Sequence, residues 1–189
     1  MIYIVVAVVG GVLVGVATGG RLANLGEAPF RIWPALAVGV GLQIAANAMR
    51  GGTGLALVLA SYVLLLVFAA ANLARVGMGL VLVGIAMNVV AIAVNGGMPV
   101  RGEAIVAAGI ASRREIPTIE FGSKRHLETP DDRLTFLGDI IPIGLGPGEV
   151  LSFGDLVMAV GIADVIVHLM RQRPRLAFSP PATASAGDG

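Results

Sequence analysis

Hydrophobic residues in this chain come in long unbroken blocks, and single arginines punctuate the blocks. No charged side chain precedes Arg21. Further uncharged runs cover 32–49, between Arg31 and Arg50, then 51–74, up to Arg75, and 76–100, up to Arg101. A fifth run, Val150 to Met170, is interrupted only by Asp155, Asp164 and His168. Each run is close to the ~20 residues with which a helix crosses about 30 Å of hydrocarbon. The pattern predicts membrane-spanning helices at roughly 2–19, 32–49, 54–72, 78–95 and 151–170. Continuous apolarity argues against barrel strands, whose lipid-facing residues alternate with polar ones. The first run lacks the basic start and the small-residue cleavage site of a secretion signal, so it is read as a span.

Composition agrees with the pattern. Of 189 residues, 56% are hydrophobic and 13% charged, against roughly 25% charged in soluble domains. The absence of cysteine excludes disulfides and thiolate metal sites. The expected surroundings are a lipid bilayer, with other membrane proteins as partners and no nucleic acid. In the first run Gly11, Gly15 and Gly19 recur every fourth residue, a spacing that lets a neighbouring helix approach closely.

Arginine placement sets the expected orientation. With the N-terminus outside, Arg21, Arg31, Arg75, Arg171, Arg173 and Arg175 fall on the cytoplasmic side, and the outer short connection keeps only Arg50. The expected architecture is then an all-α, polytopic transmembrane bundle of about five spans over residues 1–170. A small extracytoplasmic helical cap occupies 96–150, and 171–189 forms a basic, then disordered, cytoplasmic tail. The location implied is the inner membrane of a cell.

The polar segment carries its own signals. NGGMPV, residues 95–100, stops the fourth span, and Arg101 to Arg114 suggests a short amphipathic helix. Thr129, Pro130, Asp131 and Asp132 resemble a helix start, with a capping hydroxyl, proline at the first position and carboxylates at the positive end of the dipole. Gly138 is placed to end that helix in a left-handed conformation. Two similar phrases, FLGD ending at Asp139 and SFGD ending at Asp155, therefore play different parts. The first closes a helix, and the second opens the fifth span through a near capping box of Ser152 and Asp155.

The order NGGMPV, KRHLETPDDRLTFLGDIIPI and SFGDLVMAVGIADVI resembles a bacterial integral membrane family catalogued as domain of unknown function 5317. The resemblance covers most of the chain, and LTFLGDIIPI and FGDLVMAVG are its most specific phrases. It implies a polytopic inner-membrane protein and brings no substrate or reaction with it.

Candidate site residues fall into two groups. His126, Asp139, Asp155, Asn95 and Arg133 belong to or border the cap and form a candidate site for a ligand or partner. Arg133 is expected to pair with a neighbouring acid. The spacing of His126, Glu128 and Asp131 or Asp132 matches no zinc pattern, so no metal or other cofactor is expected. No serine or cysteine nucleophile can be assembled with a partnered base, which points away from an enzyme. Asp164 and His168 lie within the fifth span and share a face with Arg171, while Gln43 and Asn88 sit at matching depths in the second and fourth spans. Nine residues separate Asp155 from Asp164, about half a turn of rotation apart on a helix of 3.6 residues per turn. The first functional reading is a non-enzymatic membrane protein, an accessory or binding subunit acting through its cap. The alternative is a small proton- or ion-linked transporter using Asp164 and His168.

Overall fold

A computed structural model of the chain describes residues 2–26, 30–49, 51–144 and 146–172. Most of the expected tail, with Arg173 and Arg175, lies outside the described residues, as does Arg50. Seven α-helices appear among the described residues: α1 (Ile2–Ala17), α2 (Ala23–Gly26), α3 (Trp33–Asn47), α4 (Gly51–Ala71), α5 (Met78–Asn95), α6 (Gly102–Ala107) and α7 (Phe153–Arg171). The five long ones fall on the five apolar runs. By length and composition α4, α5 and α7 can cross a membrane, and α1 is a shorter apolar helix.

The long helices stand in file, α3 against α4, α4 against α5, α5 against α7 and α7 against α1. Gly39 of α3 faces Ser61 and Leu65 of α4, and the Asn72 side chain just beyond α4 holds the Arg31 backbone before α3, so this pair is antiparallel. Gly77, just before α5, and Gly84 within it meet Gly161 and Gly154 of α7 in reverse order. A Cβ on Gly84 would stand 2.5 Å from the Gly154 carbonyl oxygen, so these backbones touch only because the side chains are absent. Between α1 and α7 the order runs forward, Gly11 on Ala163 and Gly15 on Met170, and the two helices are parallel. Gly19 does not extend that seam. It has open space around it and φ +83°, a turn conformation that suits glycine, and Gly20 makes the next close approach, to Met170.

The N-terminus of α1 thus lies at the same end as residues 96–150, while Arg21, Arg31, Arg75 and Arg171 gather at the other. There the last carbonyls of α7, which have no partner within the helix, accept hydrogen bonds. Arg21 N–H and the Asn24 amide both donate to the Met170 carbonyl, at 2.9 and 2.8 Å, and the Asn24 amide also donates to Gln172, at 2.8 Å. Large apolar side chains remain exposed on every long helix, among them Leu13, Ile44, Val63, Val83 and Val160, as surfaces that face lipid do.

The cap differs from the helical one expected. Its frame is two strand pairs: β1 (Met98–Val100) runs parallel to β2 (Arg125–Leu127), and β3 (Ile141–Ile143) antiparallel to β4 (Glu149–Leu151). The amphipathic helix shrinks to α6, because Gly109 turns the chain at φ +73°. Its Ala104 and Ile105 are buried with Val100, Ala108 and Val150 in a small core of the cap. No helix starts at Thr129. The Asp132 carboxylate turns back instead and accepts from the Thr129 N–H at 2.7 Å, leaving a single 3-10 turn at Thr135–Leu137. The left-handed residue there is Leu134, at φ 52°, whereas Gly138 has φ −71°. Glycine is needed at 138 for room, since a Cβ would lie 2.6 Å from the Pro99 carbonyl oxygen.

Candidate functional site

Each of the two GD phrases uses its glycine to press against a neighbour and its aspartate to fill the space beneath the cap. Gly154 lets α7 touch α5 at Gly84 and Asn88; Gly138 lets the chain touch β1 at Pro99. Asp139 and Asp155 are 1% and 4% exposed. Both lie where the cap sits on the helices, near enough for the charge of Asp155 to act on Asp139.

Asp155 is fully engaged. The expected capping box forms, with Asp155 N–H donating to the Ser152 hydroxyl at 3.0 Å and Ser152 N–H donating to the carboxylate at 3.1 Å. Asn88 of α5 completes a ring, its amide donating to Asp155 Oδ1 at 2.8 Å while its carbonyl accepts from the Ser152 hydroxyl at 2.8 Å. The Tyr3 phenol of α1 lies near the same carboxylate. α5 and α7 are thereby tied at one buried point, with α1 alongside.

Asp139 is placed by its backbone, which accepts from Arg101 N–H at 3.0 Å and donates to the Pro99 carbonyl at 2.8 Å. Its carboxylate meets Arg125 Nε at 2.7 Å. The approach is too poorly aligned to count as a hydrogen bond, and Arg125 Nε and both carboxylate oxygens are buried without a hydrogen-bond partner. Burial pushes the Asp139 carboxyl up to about 6; Arg125 and Lys124 work against that shift and Asp155 adds to it. Lys124 itself stacks over the Tyr62 ring, 5.3 Å from its centre.

A cavity of about 310 Å³ opens beside this pair. Ile2, Val100, Ile105, Ile110, Phe121 and Val150 form most of its wall, with Arg125, Asp139 and Glu149 contributing the polar part. Glu149 is already engaged by the Ile2 N–H at 3.1 Å. A larger groove of about 550 Å³ runs along Arg101, Glu103, Arg113 and Glu128. Its charges are paired with each other, Arg101 with Glu128 at 3.1 Å and Arg113 with Glu103 at 3.9 Å. The smaller cavity is the one bordering buried groups left unsatisfied, and it is the candidate site.

Of the residues expected at the site, Asp139 borders the cavity, and Asp155 lies behind it in the ring with Asn88. Asn95 and Arg133 pair, though through the Arg133 backbone: its N–H donates to the Asn95 amide oxygen at 2.7 Å, and its carbonyl accepts at 2.8 Å. The expected Arg133 ion pair is absent among the described residues, its side chain being exposed. His126 is instead paired with Asp132 at 2.9 Å. Burial works to raise the Asp132 carboxyl, but the Thr129 N–H, His126 and the Thr129 hydroxyl outweigh it and hold it below its ordinary value.

Asp164 and His168 pair with each other at 3.0 Å on the outward stripe of α7, 35% and 43% exposed. Gln43, half-buried on α3 at the end of the file, does not share an interior with Asn88. Tyr3 and Arg125 had no sequence signal as site residues: one is a lone tyrosine at the chain start, the other an arginine in a charged run.

Neither among curated proteins nor among solved structures does the chain have a significant match. The profile of a family of unknown function, DUF5317, matches residues 29–167. That stretch includes both GD phrases, Asn88, Arg125 and the whole cap, so the chain belongs to the DUF5317 family.

Proposed function

We propose that the protein is a non-enzymatic membrane-embedded binding protein whose cap takes up a small ligand at the outer face of the membrane, as an accessory subunit would. The observation that carries this reading is the cavity of about 310 Å³ beside Asp139, a buried carboxylate whose oxygens, like the Arg125 Nε facing them, have no hydrogen-bond partner. Binding sites are typically concave and mostly apolar, with few polar groups that fix orientation. Five crossings, with the N-terminus and cap outside, are supported by the alternating helix directions and by the four arginines gathered at the opposite end.

The ion-transport alternative draws less support. Asp164 and His168 lie on the outward stripe of α7, about 13 and about 20 Å along the axis from Asp155 at 1.5 Å per residue. Between Asn88 and the arginine-bearing end, the buried residues of α5 are Met78, Val81, Gly84 and Ile85, so the polar ring does not continue downward.

Native mass spectrometry of the full chain released from detergent tests the binding reading. The wild type is expected to carry a small-molecule adduct that Ile110→Trp, which narrows the cavity, loses. A bare wild-type chain, or an equal adduct on both, would count against the cavity as a site.

A further inference from the structure

We propose that the cavity binds a medium-chain monocarboxylate, its acid group held by the Arg125 guanidinium and its chain lying along the apolar wall. This rests on the binding reading above and names its ligand class.

Arg125 is the basic group among the residues lining the cavity. Its Nε edge is held 2.7 Å from Asp139, yet the side chain remains 38% exposed and lines the cavity. A guanidinium presents a planar fork that matches a carboxylate with two parallel hydrogen bonds. Holding one edge at Asp139 leaves the other nitrogens for a ligand. Asp139 is thus a positioning residue: its oxygens are sealed behind the arginine, and an incoming cation would meet the positive fork first. The volume accommodates roughly ten non-hydrogen atoms, if each is given about the 30 Å³ share of a water molecule. Octanoate has that size.

The surroundings favour one negative charge over two. Asp139 and Asp155 already lie near the single guanidinium, and Glu149 lines the same cavity. A phosphate dianion would add two negative charges to a site already rich in acids, whereas a carboxylate adds one.

Binding is also coupled to protons. The groups facing Asp139 are Arg125 and Lys124 from the β2 side and Asp155 from α7, with Tyr3 of α1 beyond it. Arg101, whose N–H binds the Asp139 carbonyl, has its own guanidinium on Glu128. An anion on the outer edge of Arg125 shares the positive charge that now acts on Asp139 alone, and that acid, pushed up to about 6 by burial, takes a proton in compensation.

Calorimetry on the full chain in phosphatidylcholine nanodiscs, with empty discs subtracted, provides the test. Octanoate, octylamine and octanol are the probes. Saturable one-to-one binding of octanoate is expected, about tenfold or more tighter than octylamine. The affinity should rise several-fold between about pH 7.5 and about pH 5.5. Asp139→Asn should make octanoate binding independent of pH across that range. The double substitution Arg125→Gln with Asp139→Asn should weaken it about tenfold or more. Should the double variant not fold, Ile110→Trp is expected to weaken octanoate to a similar degree.

Equal or tighter binding of octylamine, or octanoate binding indifferent to the substitutions, would overturn the ligand class. If octylamine or octanol binds saturably and as tightly as octanoate, or native mass spectrometry finds a different adduct, the cavity reading stands without the carboxylate. If no probe binds and the wild type is bare, both fall.

Discussion

The FLGD and SFGD turns share a glycine pressed against a neighbouring backbone and a buried aspartate, but they differ in what the aspartate finds. Asp155 meets the Asn88 amide and the Ser152 N–H, one on each oxygen. Asp139 meets one arginine at poor alignment and an adjacent cavity. A buried acid whose oxygens are all engaged holds elements together. A buried acid with unused oxygens makes its surroundings costly until something else arrives. The same three letters therefore mark a structural joint in one place and a site in the other.

The sharpest way to break this contrast is to remove each acid in turn. Asp155→Ala strands the Asn88 amide and the Ser152 N–H inside the junction of α5 and α7. About 3 kcal/mol of stability should be lost, the cost of orphaning buried polar partners. Asp139→Ala should cost about 1 kcal/mol or less, since Arg125 is 38% exposed and can turn toward solvent. Reversible denaturant titration in mixed micelles measures both. Equal losses would erase the distinction between joint and site.

How much of this was readable beforehand depends on range. The helices were legible because uninterrupted apolar runs are a local signal, and so was the Ser152 and Asp155 capping box, whose partners are three residues apart. The ring with Asn88 was not, because it joins residues 67 positions apart and requires the Gly84 and Gly154 contact to bring them together. The cap misled in the same way. Thr129-Pro130-Asp131-Asp132 has the local chemistry of a helix start, but Asp132 spends its carboxylate on Thr129 and His126. The β1 and β2 pairing then fixes the path that FLGD follows. Asp139 was recognisable as a candidate, whereas the arginine and the cavity that give it meaning became visible only in three dimensions.

The acids of the cap should also separate by pH. Asp139 has a folded value raised to about 6 from an ordinary 3.8. The folded state then binds more protons than the unfolded state between those values, so stability should rise as pH falls from about 7 toward 4. The expected gain is on the order of 2 kcal/mol. Asp139→Asn should abolish it. Asp132, held below its ordinary value by Thr129 and His126, acts with the opposite sign and at lower pH: its contribution is present above about 4 and is lost on further acidification. Unfolding midpoints of the wild type and Asp139→Asn across this range should part most clearly between about pH 4 and 6. A wild-type profile that is flat there would place Asp139 in a wetter setting than its burial indicates.

The smallest expected effect concerns how the FLGD turn is held in place. Asn95, at the last turn of α5, binds both backbone groups of Arg133 and is itself steadied by a bond to the Ala91 carbonyl at 2.9 Å. Through Arg133 it fixes the entry to the 3-10 turn before Gly138. Asn95→Ala should cost about 1 kcal/mol, the net worth of partly exposed hydrogen bonds. The loss should be local: amide hydrogen exchange should quicken over residues 131–139, while 152–158, held by the Asn88 ring, stay protected. If exchange quickens equally in both segments, the two turns open together and the joint and the site are one cooperative unit.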